Sequence, residues 1–221
     1  MSEAIGYADG IVFDLDGTLW DATETVARAW DETVRALIPG HAGITRSMIQ
    51  GVMGLSHAEI SRRLFPELNA SERERVMQSC YAAEEALLRC VGAPVYAGVC
   101  EGLVALSSRY PLGIVSNCQR GYIETFFAVT GLGRWFRAAE CHGNTGLGKG
   151  ENLSTLMRRC GMRRAVFVGD TSGDEAAALE AGVPFIHVRY GFGKPERPCR
   201  SVASFSELTS LLMEPRLPAT R

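Results

Sequence analysis

Apolar and polar positions divide the chain into two kinds of stretch. Short apolar runs, each stopping abruptly at a polar or small residue, alternate with longer stretches in which apolar residues recur every three or four positions. The runs are Ile11-Val12-Phe13 before Asp14, Leu112 to Ser116, Ala165 to Gly169 before Asp170, and Phe185 to Val188. Without internal alternation and rich in β-branched and aromatic residues, they fit strands of a parallel sheet covered on both faces. Ala138 to Glu140 reads as a shorter strand. Between the runs, helices are predicted over Gly98–Arg109, Tyr122–Val129 closed by Gly131, Glu151–Cys160 ended by Gly161, and Gly173–Ala181. Ser204 with Glu207 makes a capping box that opens a last helix to Met213. Strands alternating with helices in this order predict an α/β fold with a parallel sheet.

Residues 20–94 follow a different pattern, with helical spacing and no strand. Val26, Trp30, Val34 and Leu37 make one stripe of a helix over Ala22–Ile38, stopped by Pro39-Gly40. A short helix starts at Thr45. Capping boxes at Ser56/Glu59 and Ser71/Glu74 open two more, the second carrying Val76, Cys80, Ala83 and Leu87 on one face and ending near Gly92. The expected organisation is therefore an α/β core of residues 1–19 and 95–213, an all-helical insert at 20–94, and a frayed tail at 214–221.

Composition narrows the class. Lys and Arg number 23 against 25 Asp and Glu, a formal charge of −2 without a basic block, so nothing marks nucleic acid or an anionic membrane as a partner. Met1 to Gly10 lacks a signal-type apolar core and no run approaches a membrane span, so a cytoplasmic location is expected. The seven cysteines contain no C-x-x-C pair and are expected to be mostly small buried hydrophobes in a reducing compartment. The four histidines form no ligand-type pair.

The chemistry gathers where the runs stop. Parallel strands place all their carboxyl ends at one edge, so Asp14, Ser116 and Asp170 are expected to meet there. Asp16 follows Asp14 by two, Asp174 follows Asp170 by four, and Lys149 lies in a glycine-rich connection before a helix. Taken alone, Asp14-Leu15-Asp16-Gly17-Thr18 also fits a turn with a helix cap. Four carboxylates, a hydroxyl and a lysine together suit a hard divalent cation with oxygen ligands, Mg2+ first, and a phosphoryl group. Neutralised in that way, Asp14 becomes a nucleophile toward phosphorus.

Asp-Leu-Asp-Gly-Thr after one strand, Ser116-Asn117 after a second, Lys149 before a helix, and Gly169-Asp170 through Asp174 after a third together resemble the ordered motifs of the haloacid dehalogenase superfamily. Within it the chain resembles phosphoglycolate phosphatase-like members with a helical cap inserted after the first motif, over Gly10 to about Gly193. The resemblance implies a Rossmann-like parallel sheet core with an inserted all-helical cap. It makes Asp14 the nucleophile, Asp16 the general acid and then base, and Thr18, Ser116, Asn117 and Lys149 the phosphate-binding groups. Mg2+ would be held by Asp14, the backbone carbonyl of Asp16, and Asp170, with Asp174 supporting from behind. One position departs from the pattern: many relatives carry proline after the motif lysine, where this chain has Gly150. The only other lysine is Lys194.

These readings point to a Mg2+-dependent phosphatase of a small phosphate monoester, phosphoglycolate being the first substrate the resemblance suggests, monomeric or weakly dimeric, with no nucleic-acid or membrane partner. The chain from Arg46, Gln50 and Gly51 to His57 is expected to touch the rest of the substrate. A phosphomutase of the same superfamily and a phosphoacceptor regulatory module without turnover are the alternatives. The helical insert favours turnover over the module.

Overall fold

Ile11, Val12 and Phe13 are wholly buried because strand β1 (Gly10–Phe13) runs through the middle of a six-stranded parallel sheet. The structure, a computed structural model, describes residues 8–214. Residues 1–7 and, Glu214 apart, the expected tail lie outside the described residues. The other strands are β2 (Leu112–Ser116), β3 (Ala138–Cys141), β4 (Ala165–Gly169), β5 (Phe185–Val188) and β6 (Arg200–Val202), in the order β3-β2-β1-β4-β5-β6. Strand side chains alternate between two cores, as the pleat requires. Ile11 and Phe13 join Ile114, Val168 and Phe205 on one side, while Val12 joins Val115, Leu153 and Phe167 on the other.

Four helices make up the insert after β1: α1 (Thr23–Leu37), α2 (Arg46–Gln50), α3 (His57–Leu64) and α4 (Ala70–Val91). The core helices are α5 (Val99–Ser107), α6 (Tyr122–Thr130), α7 (His142–Thr145), α8 (Lys149–Cys160), α9 (Ser172–Ala181) and α10 (Phe205–Met213). The chain enters and leaves the helical insert side by side. Trp20 pairs with Val95 in an antiparallel bridge, and the Tyr96 N–H donates to the Leu19 carbonyl at 3.1 Å. Within the insert α1 packs on α4, and α4 in turn on α6 of the core. Among the described residues no helix is long and apolar enough to cross a membrane.

Several expectations need correction. The α1 stripe ends at Val34, since Leu37 is exposed. Helix α4 is capped by Asn69 and Glu72, not Ser71 and Glu74. Its buried face carries Val76, Met77, Cys80, Glu84 and Leu88, whereas Ala83 and Leu87 are only partly buried. At α10, Ser204 accepts from the Glu207 N–H, but the Glu207 carboxylate turns to the Ala203 N–H at 2.6 Å, so the box is only half made. Strand β6 and the one-turn α7 were not predicted: Arg200-Ser201-Val202, at the sheet edge, has no apolar run to reveal it. Of the cysteines, only Cys80 and Cys141 are buried, and all seven are free thiols.

Candidate active site

Phe13 of β1 lies level with Ile114 of β2 and Val168 of β4, so the residues after these strands emerge at one edge. The Asp14 N–H donates to the Val168 carbonyl at 2.8 Å, which fixes Asp14 as β1 ends. Here the strand order turns back on itself, with β2 on one side of β1 and β4 on the other, the crevice in which open α/β sheets bind ligands.

Lys149 opens α8, where Gly148 is the capping residue and donates its N–H to Glu151 Oε2 at 3.1 Å. Its Nζ donates to Asp14 Oδ1 at 2.6 Å and to Asp174 Oδ1 at 2.7 Å. Gly150 does not divert the lysine; a Cβ at that position would run into the Glu180 side chain of α9. Asp174, in the first turn of α9, accepts at Oδ2 from the N–H groups of Asp170 and Thr171 and from the Thr171 hydroxyl. Both its oxygens are committed, one to the helix cap and one to holding Lys149.

Asp170 is fully buried. Its Oδ2 accepts from the Phe192 N–H at 2.7 Å, while its Oδ1 has no hydrogen-bond partner. Gly17, at φ 87°, and Gly191 crowd this carboxylate so closely that a Cβ on either would collide with it. Asp14, Asp170 and Asp174 each bring one oxygen to within 4.8 Å of the others. If all three are ionised, one lysine leaves two negative charges uncompensated in a buried place. The consequence is visible in their proton affinities. Burial, then repulsion from Asp174, holds Asp14 well above the usual carboxylate range despite the opposing pull of Lys149. Burial and the charge of Asp174 push Asp170 up to about 7. For Lys149 burial works against the charge, yet Asp14 and Asp174 outweigh it and hold the ammonium above its ordinary value. A buried carboxylate oxygen without a donor, beside two further carboxylates, fits a hard divalent cation with oxygen ligands.

Asp16 stands apart from that trio. Its Oδ1 accepts from Trp20 Nε1 at 2.9 Å and from the Tyr122 hydroxyl at 2.8 Å. Burial pushes it up to about 6, with both hydrogen bonds pulling the other way. Thr18 is buried with an unpartnered hydroxyl, and its carbonyl accepts from the Tyr190 hydroxyl at 2.9 Å. Ser116 Oγ accepts from the Cys118 N–H at 3.2 Å. The Asn117 amide reaches instead across to the insert, donating to the Gly54 carbonyl at 2.8 Å.

Asp14, Asp16 and Ser116 line a cavity of about 60 Å³ whose other walls come largely from the insert, among them Trp30, Ile49, Met53, Tyr81 and Glu84. Part of the expected contact segment is therefore misplaced. Val52 to Leu55 line this cavity, but Arg46 is paired with Asp21 at 2.7 Å, and His57 lies in a second cavity, bonded to Tyr81 and Glu74. Trp20, Tyr122, Glu84 and Phe192 were not singled out from the sequence. Glu84 alone had a local signal, since 76, 80, 84 and 88 share one helical face.

Residues 11–188 match the family of haloacid dehalogenase-like hydrolases. A phosphoglycolate phosphatase of Cupriavidus necator is 28% identical over 224 residues, covering 94% of each chain. A phosphoglycolate phosphatase of Synechococcus elongatus is 32% identical over 82% of this chain and 84% of its own. The fold matches a haloacid dehalogenase-like hydrolase of Streptococcus pneumoniae with a TM-score of 0.80 at 21% identity, over 91% of this chain and 97% of that one.

Proposed function

Because the chain belongs to the haloacid dehalogenase-like hydrolase family, we propose that it is a Mg2+-dependent phosphatase that cleaves a small phosphate monoester through an aspartyl phosphate on Asp14. The observation that carries this reading is the joining of Asp14, which lines the cavity roofed by the insert, to Lys149 beside the partnerless oxygen of Asp170. Asp14 attacks phosphorus as the ester oxygen leaves, and Asp16 gives that oxygen its proton. Asp16 then takes a proton from the water that attacks phosphorus, which frees phosphate and restores the Asp14 carboxylate. Trp20 and Tyr122 hold Asp16 in place for both transfers. Lys149 and the hydroxyls of Thr18 and Ser116 face the phosphoryl oxygens, and Asp174 positions Lys149. Asp14, the Asp16 carbonyl and Asp170 would hold Mg2+, which would supply the charge neutralisation that lets two anions meet.

The small cavity favours a compact metabolite, and the name shared by the relatives makes phosphoglycolate one ester to test. Asp14→Asn is nearly isosteric and is expected to keep the fold while lowering kcat by on the order of 10³-fold or more. Acid quenching during turnover with labelled ester should trap phosphate on the wild-type chain only. Steady phosphate release over many turnovers separates this reading from a phosphoacceptor module; wild-type activity in Asp14→Asn would end it.

A further inference from the structure

The cavity above Asp14 is unlike one built for a second anion. Trp30, Ile49, Val52, Met53, Leu55 and Ile60 give it a mainly apolar lining, and among the described residues no lysine, arginine or histidine lines it. The one ionisable group that the insert contributes to the lining, besides the Tyr81 phenol, is Glu84. It is 3% exposed and held from two sides, accepting from Trp30 Nε1 of the insert and from Gln119 Nε2 of the core, each at 2.7 Å. A cationic side chain, Arg120, lines the second, larger cavity of about 740 Å³ instead, together with His57 and His142. Tyr81, Asn117, Cys118 and Gln119 line both cavities and so form the wall between them.

On the premise that the chain is a phosphatase, we propose that its substrate is the phosphate ester of an uncharged, mainly apolar small alcohol, and that Glu84 acts to exclude esters of hydroxy acids. A carboxylate on the alcohol carbon chain would be stripped of water in this cavity without gaining a cation, a cost that burial of a charge makes large. Beside Glu84 it would meet a second carboxyl group, and two such groups at close range cannot both stay ionised. An alkyl group in the same place loses only hydration and gains contact with Trp30 and its neighbours. Discrimination here comes from repulsion as much as from fit.

The test compares kcat/KM for phosphoglycolate with that for ethyl phosphate and n-propyl phosphate, similar in size and lacking the carboxylate, with acetyl phosphate as an activated reference. At pH 9, where Glu84 is ionised, wild-type protein is expected to favour the alkyl esters at least tenfold, and Glu84→Gln to narrow that preference at least threefold by raising the rate on phosphoglycolate. Equal or faster hydrolysis of phosphoglycolate by the wild type would overturn the proposed substrate class. An unchanged ratio in Glu84→Gln would overturn the role of Glu84. Should that variant not fold, the wild-type ratio still decides the substrate class. No hydrolysis of any ester, acetyl phosphate included, would instead reject the phosphatase reading on which the inference rests.

Discussion

Glu84 occupies a helical face whose other buried members are Val76, Met77, Cys80 and Leu88. Burial pushes its carboxyl up to about 8, against the opposing hydrogen bonds from Gln119 and Trp30. An acid whose affinity for its proton is higher in the folded protein stabilises the fold fully below its unfolded pKa, near 4.5, and loses that contribution as pH rises through about 8. At about 1.4 kcal/mol per unit, the loss between these limits is at most a few kcal/mol. Glu84→Gln has no proton to lose there. The variant is therefore expected to gain stability over the wild type as pH goes from 5 to 8. Asp14 and Asp170 titrate in both proteins and cancel in the difference, while the repulsion between Asp16 and Glu84 is lost in the variant and adds with the same sign. Urea denaturation at the two pH values measures it, and parallel pH profiles would contradict the burial argument.

The entry to α4 shows how an element is placed by its cap. Asn69 Oδ1 accepts from the N–H groups of Ser71 and Glu72 at 3.0 Å, and Glu72 Oε2 accepts from the Asn69 N–H at 2.9 Å. Ser71 and Glu74 have the same spacing two residues later, but there the Ser71 hydroxyl donates to Asn69, and Glu74 turns to His57 and Gln78. Asn and Ser cap about equally well, so local chemistry alone leaves both starts open. The structure chooses the earlier one. Asn69→Ala is expected to cost about 1 kcal/mol, whereas Ser71→Ala should change stability by only a few tenths. Denaturant midpoints for the two variants distinguish the caps, and equal losses would restore the later start.

Across the whole molecule, β1, β4, α8 and α9 bring residues far apart in the chain to one buried cluster of three carboxylates and one ammonium. A divalent cation that neutralised the excess charge would bind the folded chain and not the unfolded one, and so would stabilise it by mass action. Saturating Mg2+ is expected to raise Tm by several degrees and EDTA to reverse the rise. Asp170→Asn, which removes the charge of the carboxylate bearing the unpartnered oxygen, should abolish the shift. An Mg2+-induced shift of the same size in that variant would place the ion elsewhere.

The hydrophobic pattern determined strands β1, β2, β4 and β5, and with them the meeting of Asp14, Ser116 and Asp170. A run of buried apolar residues can end in only a few ways, and parallel order brings those ends together whatever lies between. Lys149 was legible as one of only two lysines beside a helix start. Tertiary structure alone decided what surrounds the site. Asp16 takes one of its two donors from Tyr122, 106 positions away, Glu84 takes one from Trp30, 54 away, and Asn117 reaches Gly54 across the boundary between core and insert. Arg46 turns to Asp21 for the same reason. Local spacing sets which face an element shows, whereas the partner it shows that face to is set by how the helical insert lies on the sheet. Burial of a charged residue such as Glu84 follows from that packing and from nothing nearby in the chain, because its cost is met only by donors that the folded structure delivers.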